Sequence, residues 1–306
     1  LRNSAKEVLL GLRSLVDAKR KNGRFLLLGS ASPDGSRQAA ESLAGRMEVV
    51  SLLPLSRAEL GNRKPKFLEQ AFAGRLAKPA ELLLGGDLVR AALTGGYPEM
   101  LARAAPKRRQ AWARDYLRAV MQRDARDIAE LEKLDQMPRL LRAMAHHAGQ
   151  LVNFSQFGGQ IGMDDKTTRK YVGILEQLFL VRRVEPWFRN RLKRLVKTPK
   201  LHFLDPGILA AVTGATEERV SRNRSVFGSL LETFVFSEME KQVAWSDQAP
   251  TLHYYRDKDQ DEVDIVIESD QDEIVGIEVK AAATVTAADF KGLRKLADAC
   301  AGDFRL

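Results

Sequence analysis

The hydrophobic positions of this chain change period several times, and each change marks an element. Val8, Leu9, Leu12, Leu15 and Val16 recur every three or four residues and predict a helix over residues 1–20. Asn22-Gly23 reads as a turn. Phe25-Leu26-Leu27-Leu28 and Val49–Leu53 are unbroken apolar runs, the pattern of buried parallel strands, and Ser36–Ala44 between them predicts a short helix. From Pro65 to Leu134 the spacing is mostly helical, interrupted at Gly85-Gly86 and at Gly95-Gly96-Tyr97-Pro98. Trp112 and Tyr116 sit at core-like spacing and are assigned to packing.

Further along, Pro138–His147 predicts a helix. Asn153 is placed to cap a second, Phe154–Ile161, which stops at Gly162, and Asp164 to cap a third, Asp165–Leu178. Two helices joined by a short glycine turn form a helix-turn-helix pattern. Tyr171, Ile174, Leu175 and Leu178 make the core stripe of the third helix. Strands are expected over Phe179–Val184 and Leu195–Phe203. Asp205-Pro206 reads as a helix cap with proline at the first helical position, closed by Gly214.

A long amphipathic helix is predicted over Val226–Trp245, followed by two stretches of strict alternation, Glu262–Ile267 and Ile277–Lys280, and a last helix over Ala287–Ala301. Alternation places Val263, Ile265 and Ile267 on one strand face and Asp264 on the other; Glu278 and Lys280 likewise point away from Ile277 and Val279. If the strands pair, Asp264, Glu278 and Lys280 converge. Two carboxylates there can hold a divalent metal that activates water, and the lysine can stabilise a charged phosphate. The same residues also fit a solvated strand face carrying a Glu–Lys pair.

Composition adds class and partner. The 306 residues are 44% hydrophobic and 29% charged, which suits two or three globular domains. The lone cysteine, Cys300, excludes a disulfide framework and fits a reducing cytoplasm. No run of eighteen apolar residues suggests a membrane span, and Leu1–Leu10 lack a signal-peptide layout. The net charge of +9 is unevenly divided: residues 1–224 hold 41 basic and 23 acidic residues, residues 225–306 hold 8 and 17. A basic front part is what a polyanion binder needs. Lys166, Thr167, Arg169 and Lys170 crowd the start of the third helix, where a recognition helix meets DNA. Arg189, Arg191, Lys193 and Arg194 lie between the two following strands, as in a basic wing. DNA is therefore the expected partner; a helical subdomain with a solvated basic face fits the same residues. His146-His147 is assigned to packing or capping, since adjacent helical residues point about 100° apart and chelate poorly.

Asp264, then Glu278-x-Lys280, within a helix, strands, helix order, resembles the PD-(D/E)XK nuclease superfamily. That resemblance implies a metal held by Asp264 and Glu278, a phosphate stabilised by Lys280, and an additional acid at Glu232. Gly23–Pro33 and Glu41–Arg46 resemble the late part of an AAA-type ATPase domain. The wider pattern, with Leu141–Gln150 and Lys197-Thr198-Pro199-Lys200, is similar to prokaryotic ATPases that continue into a winged helix and a nuclease-like domain. This resemblance implies ATP with magnesium as cofactor and possible homo-oligomerisation. It casts Ser30 and Ser32 as sensor-type polar residues and Arg46 as a phosphate-reaching arginine; a strand-end turn and a surface arginine are the plainer readings. No Gly-x-x-x-x-Gly-Lys-[Ser/Thr] loop occurs in the chain. The expectation is a fragment that lacks the main nucleotide site. Its fold class is expected to be α/β plus α: a partial AAA core (1–64), a helical lid (65–135), a winged helix (136–215) and an incomplete nuclease-like domain (216–306).

Overall fold

The computed structural model describes residues 2–30, 43–79, 82–128, 132–282 and 284–306. Helix α1 spans Arg2–Ala18, α2 Arg57–Leu60, α3 Phe67–Phe72, α4 Gly85–Thr94, α5 Pro98–Leu101 and α6 Pro106–Ala119. Helix α6 widens into a π-turn, Val120–Asp124, before α7, Ala125–Ile128. Then come α8 Met137–Ala145, α9 Phe154–Gly159 and α10 Asp165–Gln177. Strand β1, Val181–Val184, and β2, Lys200–Phe203, form an antiparallel pair around α11, Arg191–Val196. Helices α12 Pro206–Thr213, α13 Glu217–Arg222 and α14 Ser225–Ala244 lead to a second antiparallel sheet: β3 Thr251–Arg256, β4 Glu262–Glu268 and β5 Ile274–Ile277, in that spatial order. A 3-10 turn and α15, Lys291–Cys300, follow.

Local chemistry accounts for most boundaries. The Asn153 Oδ1 accepts from the Gln156 N–H at 2.9 Å and starts α9; the Asp164 Oδ1 accepts from Thr167 at 2.8 Å and starts α10. Gly162, at φ +72°, turns the chain between them. Asp205 caps α12 through the Ile208 N–H at 2.9 Å, with Pro206 at the first helical position and Gly214 closing at φ +67°. The large core joins α4–α6 and α8–α10 to α12 and the start of α14, with Tyr171, Ile174, Leu175 and Leu178 all buried. Trp112 stacks on Tyr116 at 5.0 Å at its margin. His147 bonds Gln150 at 3.0 Å and contacts the Phe157 ring, a packing role.

Four expectations are corrected. Phe25–Leu28 and Val49–Leu53 form no strand and are largely exposed, Leu28 at 88% and Leu52 at 95%. A strand exists only with a partner for its N–H and C=O groups, and no described segment pairs with either run. Both described sheets are antiparallel, so a parallel core is not formed among these residues. The predicted strand Leu195–Phe203 begins only at Lys200, because Asn190 accepts from Leu192 at 3.1 Å and initiates α11. The predicted helix Ser36–Ala44 lies almost entirely outside the described residues.

The fourth correction concerns the faces of β4. Its pairing with β3 sets His253 against Val266 but Tyr255 against Val263, so Asp264 and Ile265 together oppose the single Tyr254. This bulge inverts the alternation. Val263 and Val266 pack toward Leu296 and Cys300 of α15, whereas Ile265 and Ile267 pack toward Phe236 and Met239 of α14. Val263 thus leaves the face that strict alternation gave it. Residues 303–306 run along the free side of β5: Ile274 donates to Asp303 at 2.8 Å and Gly276 to Leu306 at 2.9 Å.

Candidate functional site

The carboxylates singled out in the sequence do gather, and they gather around a cation that sequence spacing did not reveal. Strand β5 ends at Ile277, one residue before Glu278, so residues 278–280 are not the expected strand. The reason is Asp264: its Oδ2 accepts the Val279 N–H at 2.8 Å, replacing the next rung of the ladder with a side-chain bond. This bond holds Glu278 and Lys280 beside the bulge. The Lys280 ammonium donates to Glu278. Burial and the nearby Asp264 raise the Glu278 pKa, against the pull of Lys280.

Lys200, from β2, enters the space between β4 and α14. Its Nζ lies 3.5 Å from Glu232 Oε1, 3.4 Å from Glu262 Oε2 and 3.6 Å from Asp264 Oδ1. The lysine is 3% exposed. Burial alone would lower its pKa; Glu232, Asp264 and Glu262 outweigh that and raise it. The Tyr254 ring stands 5.5 Å from the ammonium. Glu232 answers the same environment from the other side. Burial pushes its carboxyl up to about 7; Lys200 pulls it down, and Asp264 and Glu262 push it up further. Gly149 makes room for Glu232: its φ is +78°, and a Cβ there would meet Glu232 Oε2 at 2.6 Å. His202, two residues beyond Lys200, stacks on Phe236 with ring centroids 4.2 Å apart. Both its ring nitrogens are buried without a hydrogen-bond partner, and burial, helped by Lys200, lowers its pKa to about 3. It is a neutral imidazole inside the core.

The Lys200 ammonium stands among Glu232, Glu262 and Asp264, in the place that a divalent ion held by these oxygens would take. Among the described residues the one acidic group whose oxygens do converge is Asp257, Asp259 and Asp261, and Lys295 bonds all three at 2.5–2.8 Å.

A second buried ion pair ties α11 to the sheet. Arg194, 6% exposed, forks onto both oxygens of Glu268, with Nη2 to Oε1 at 2.9 Å. Burial would raise the Glu268 pKa; His253 and Arg194 outweigh it and bring it down to about 2. Arg194, expected in the sequence as a DNA contact, is therefore not available to an external phosphate, because its guanidinium is spent inside the protein. Arg191 pairs with Asp272 at the surface. Arg189 and Lys193 remain exposed on the hairpin, as do Lys166, Arg169 and Lys170 on α10, with Thr167 half-buried. Arg169 bonds Asp165 at 2.7 Å and covers the Phe154 ring. In the N-terminal region Ser30 is exposed, and Ser32 lies outside the described residues. Arg46 is bound to Asp17 at 2.7 and 3.1 Å, so that guanidinium already has an anion.

Fold and site together describe a helical body with a basic hairpin, docked on an acidic three-stranded sheet through buried ion pairs. Residues 3–61 match the family model of an AAA domain, and this part of the chain is similar to AAA-type nucleotide-binding proteins. Residues 85–219 match a domain of unknown function, DUF8612, and residues 227–305 a second, DUF4143. The chain is 29% identical over 257 residues to an uncharacterized protein of Mycobacterium tuberculosis and equally to one of Mycobacterium bovis. That similarity covers 84% of this chain and 52% of each relative, so the chain spans about half their length. No solved structure matches it. No helix among the described residues is long and apolar enough to cross a membrane.

Proposed function

We propose that the chain is the DNA-associating part of an AAA-type ATP-binding protein, and that its C-terminal sheet is a nuclease-like fold used as a non-catalytic module. The observation that carries this reading is the Lys200 ammonium 3.4–3.6 Å from Glu232, Glu262 and Asp264. It supplies the charge a metal would supply, yet offers no site for water activation. The helix order of α8 to α10, the hairpin after them and the exposed Lys166, Lys170, Arg189 and Lys193 support DNA contact. These residues are a winged-helix arrangement in this reading. No phosphate loop is present in the chain and Arg46 is engaged by Asp17, so its own residues do not compose an ATP site, and no hydrolytic step is assigned to them.

The test has two arms. Duplex DNA binding, followed by anisotropy across a salt series, is expected to weaken steeply with salt. Arg189→Ala and Lys193→Ala each flatten that slope by about one if they neutralise a phosphate. Plasmid incubated with Mn2+ or Mg2+ is expected to stay intact. Absence of binding rejects DNA association; cutting that vanishes in both Asp264→Ala and Lys280→Ala rejects the non-catalytic module and restores a metal-dependent endonuclease. That second reading has one observation in its favour: Asp264, Glu278 and Glu232, with Lys280 at the exposed edge, surround one half-buried acidic site, so withdrawal of Lys200 would leave carboxylates in need of a cation.

A further inference from the structure

A cleft of about 590 Å3 opens between α6, its π-turn, α8 and α12, away from the residues used above. Among the described residues its rim carries the guanidinium groups of Arg114, Arg118, Arg126 and Arg142 against one carboxylate, Asp135, and Arg126 is already engaged within the protein. Arg118 makes a long bond to Asp115 at 3.4 Å. Arg114 and Arg142 are exposed, and neither has an acidic partner among the described residues. The floor is aliphatic: Leu117, Met121 and Leu141 are 6%, 5% and 1% exposed, and Val212 closes one side. Met121 and Gln122 belong to the π-turn, a break in the regular helical ladder that is retained mostly where a site needs it.

From this geometry we infer that the cleft is a binding site for a small amphipathic anion, an aliphatic body ending in a phosphate or carboxylate. The volume falls within the roughly 300–1,000 Å3 of ligand pockets. Guanidinium forks match the two oxygens of either head group. Among the described residues no aromatic ring lines the cleft, so a nucleobase finds no such surface there to stack on, whereas an alkyl chain finds Leu, Met and Val. The site is independent of the DNA reading and of the carboxylate cluster.

Calorimetric titration of the whole chain tests it with four probes: octyl phosphate, octanoate, inorganic phosphate and octanol. Octyl phosphate or octanoate is expected to bind saturably at one site, and the stronger of the two identifies the head group. Inorganic phosphate and octanol each bind at least about tenfold more weakly, because each supplies half the contacts. Arg114→Ala with Arg142→Ala weakens the amphiphile by about tenfold or more at unchanged circular dichroism. Val212→Phe, which narrows the cleft and leaves the rim intact, weakens it as well. The inference is overturned if neither amphiphile saturates, if octanol binds as tightly as they do, or if the folded double-arginine variant binds like the parent.

Discussion

Lys200 is the residue on which the interior of this protein turns. It is buried, it arrives from a strand of the helical body, and it faces carboxylates of two other elements. Truncating one partner of a buried ion pair typically costs about 3–5 kcal/mol, because the remaining charges lose their compensation. Lys200→Met is therefore expected to lower the urea-unfolding free energy by roughly that amount at mildly alkaline pH. The deficit narrows on acidification, as protonation relieves the unpaired carboxylates. Two neighbours set opposite pH slopes in the parent. The folded-state pKa of Glu232, about 7, lies above the ordinary 4.5, so its contribution is fully present below 4.5 and is lost as pH rises through 7. The folded-state pKa of His202, about 3, lies below 6.5; its contribution is present above 6.5 and is lost as pH falls toward 3. Thermal unfolding against pH separates them: Glu232→Gln flattens the loss above pH 4.5, and His202→Gln flattens the loss below pH 6.5.

At the scale of elements, α11 is where reading and structure differ most. Residues 195–199 are expected as the start of a strand running to Phe203, but no described β partner faces them, and the Asn190 cap starts a helix instead. The inward pull of Glu268 on Arg194 then fixes that helix against the sheet. Arg194→Ala leaves the buried Glu268 with His253 at 3.4 Å and Arg191 at 3.9 Å as its remaining partners, and a loss at or below the roughly 3–5 kcal/mol of a broken buried pair is expected. Differential hydrogen exchange should show it first in residues 189–197. Helices with capping residues and clear periodicity were legible: α9, α10, α12 and α14 begin within a residue of their expected starts. That Asp264 and Glu278 lie near each other is expected from two alternating runs, but the bulge and the early end of β5 place them by other means: a side-chain bond from Asp264 to the Val279 N–H. What was not legible depends on pairing between distant segments. The β4 bulge arises from register with β3, and the place of Lys200 arises from docking of β2 against α14, some thirty residues onward in the chain. Nothing in the local run Lys197-Thr198-Pro199-Lys200 marks the last lysine as interior.

At the scale of the molecule, the charge asymmetry acquires a structural meaning. The basic front part and the acidic tail part are joined by the pairs Lys200–Glu232, Arg194–Glu268 and Arg191–Asp272. Some of the positive excess that would attract a polyanion is consumed internally, which narrows the nucleic-acid candidates to exposed cations such as Lys166, Arg189 and Lys193. The large core runs without interruption from Val89 through Phe234 and touches Val279 and Ala281. The helical body and the start of the acidic unit therefore share one interior rather than meeting at a thin seam.

Residues 303–306 act as a hem on the sheet. Ile274 and Gly276 donate outward to Asp303 and Leu306, and Arg305 donates back to Ile274 at 2.8 Å, so the outer border of β5 is already covered. An uncovered border of this kind recruits strands from other molecules. A variant ending at Gly302 is expected to associate with itself in a concentration-dependent way, read by light scattering, while the parent of the same concentration does not. A graft that replaces residues 303–306 with an unrelated sequence should unravel the hem.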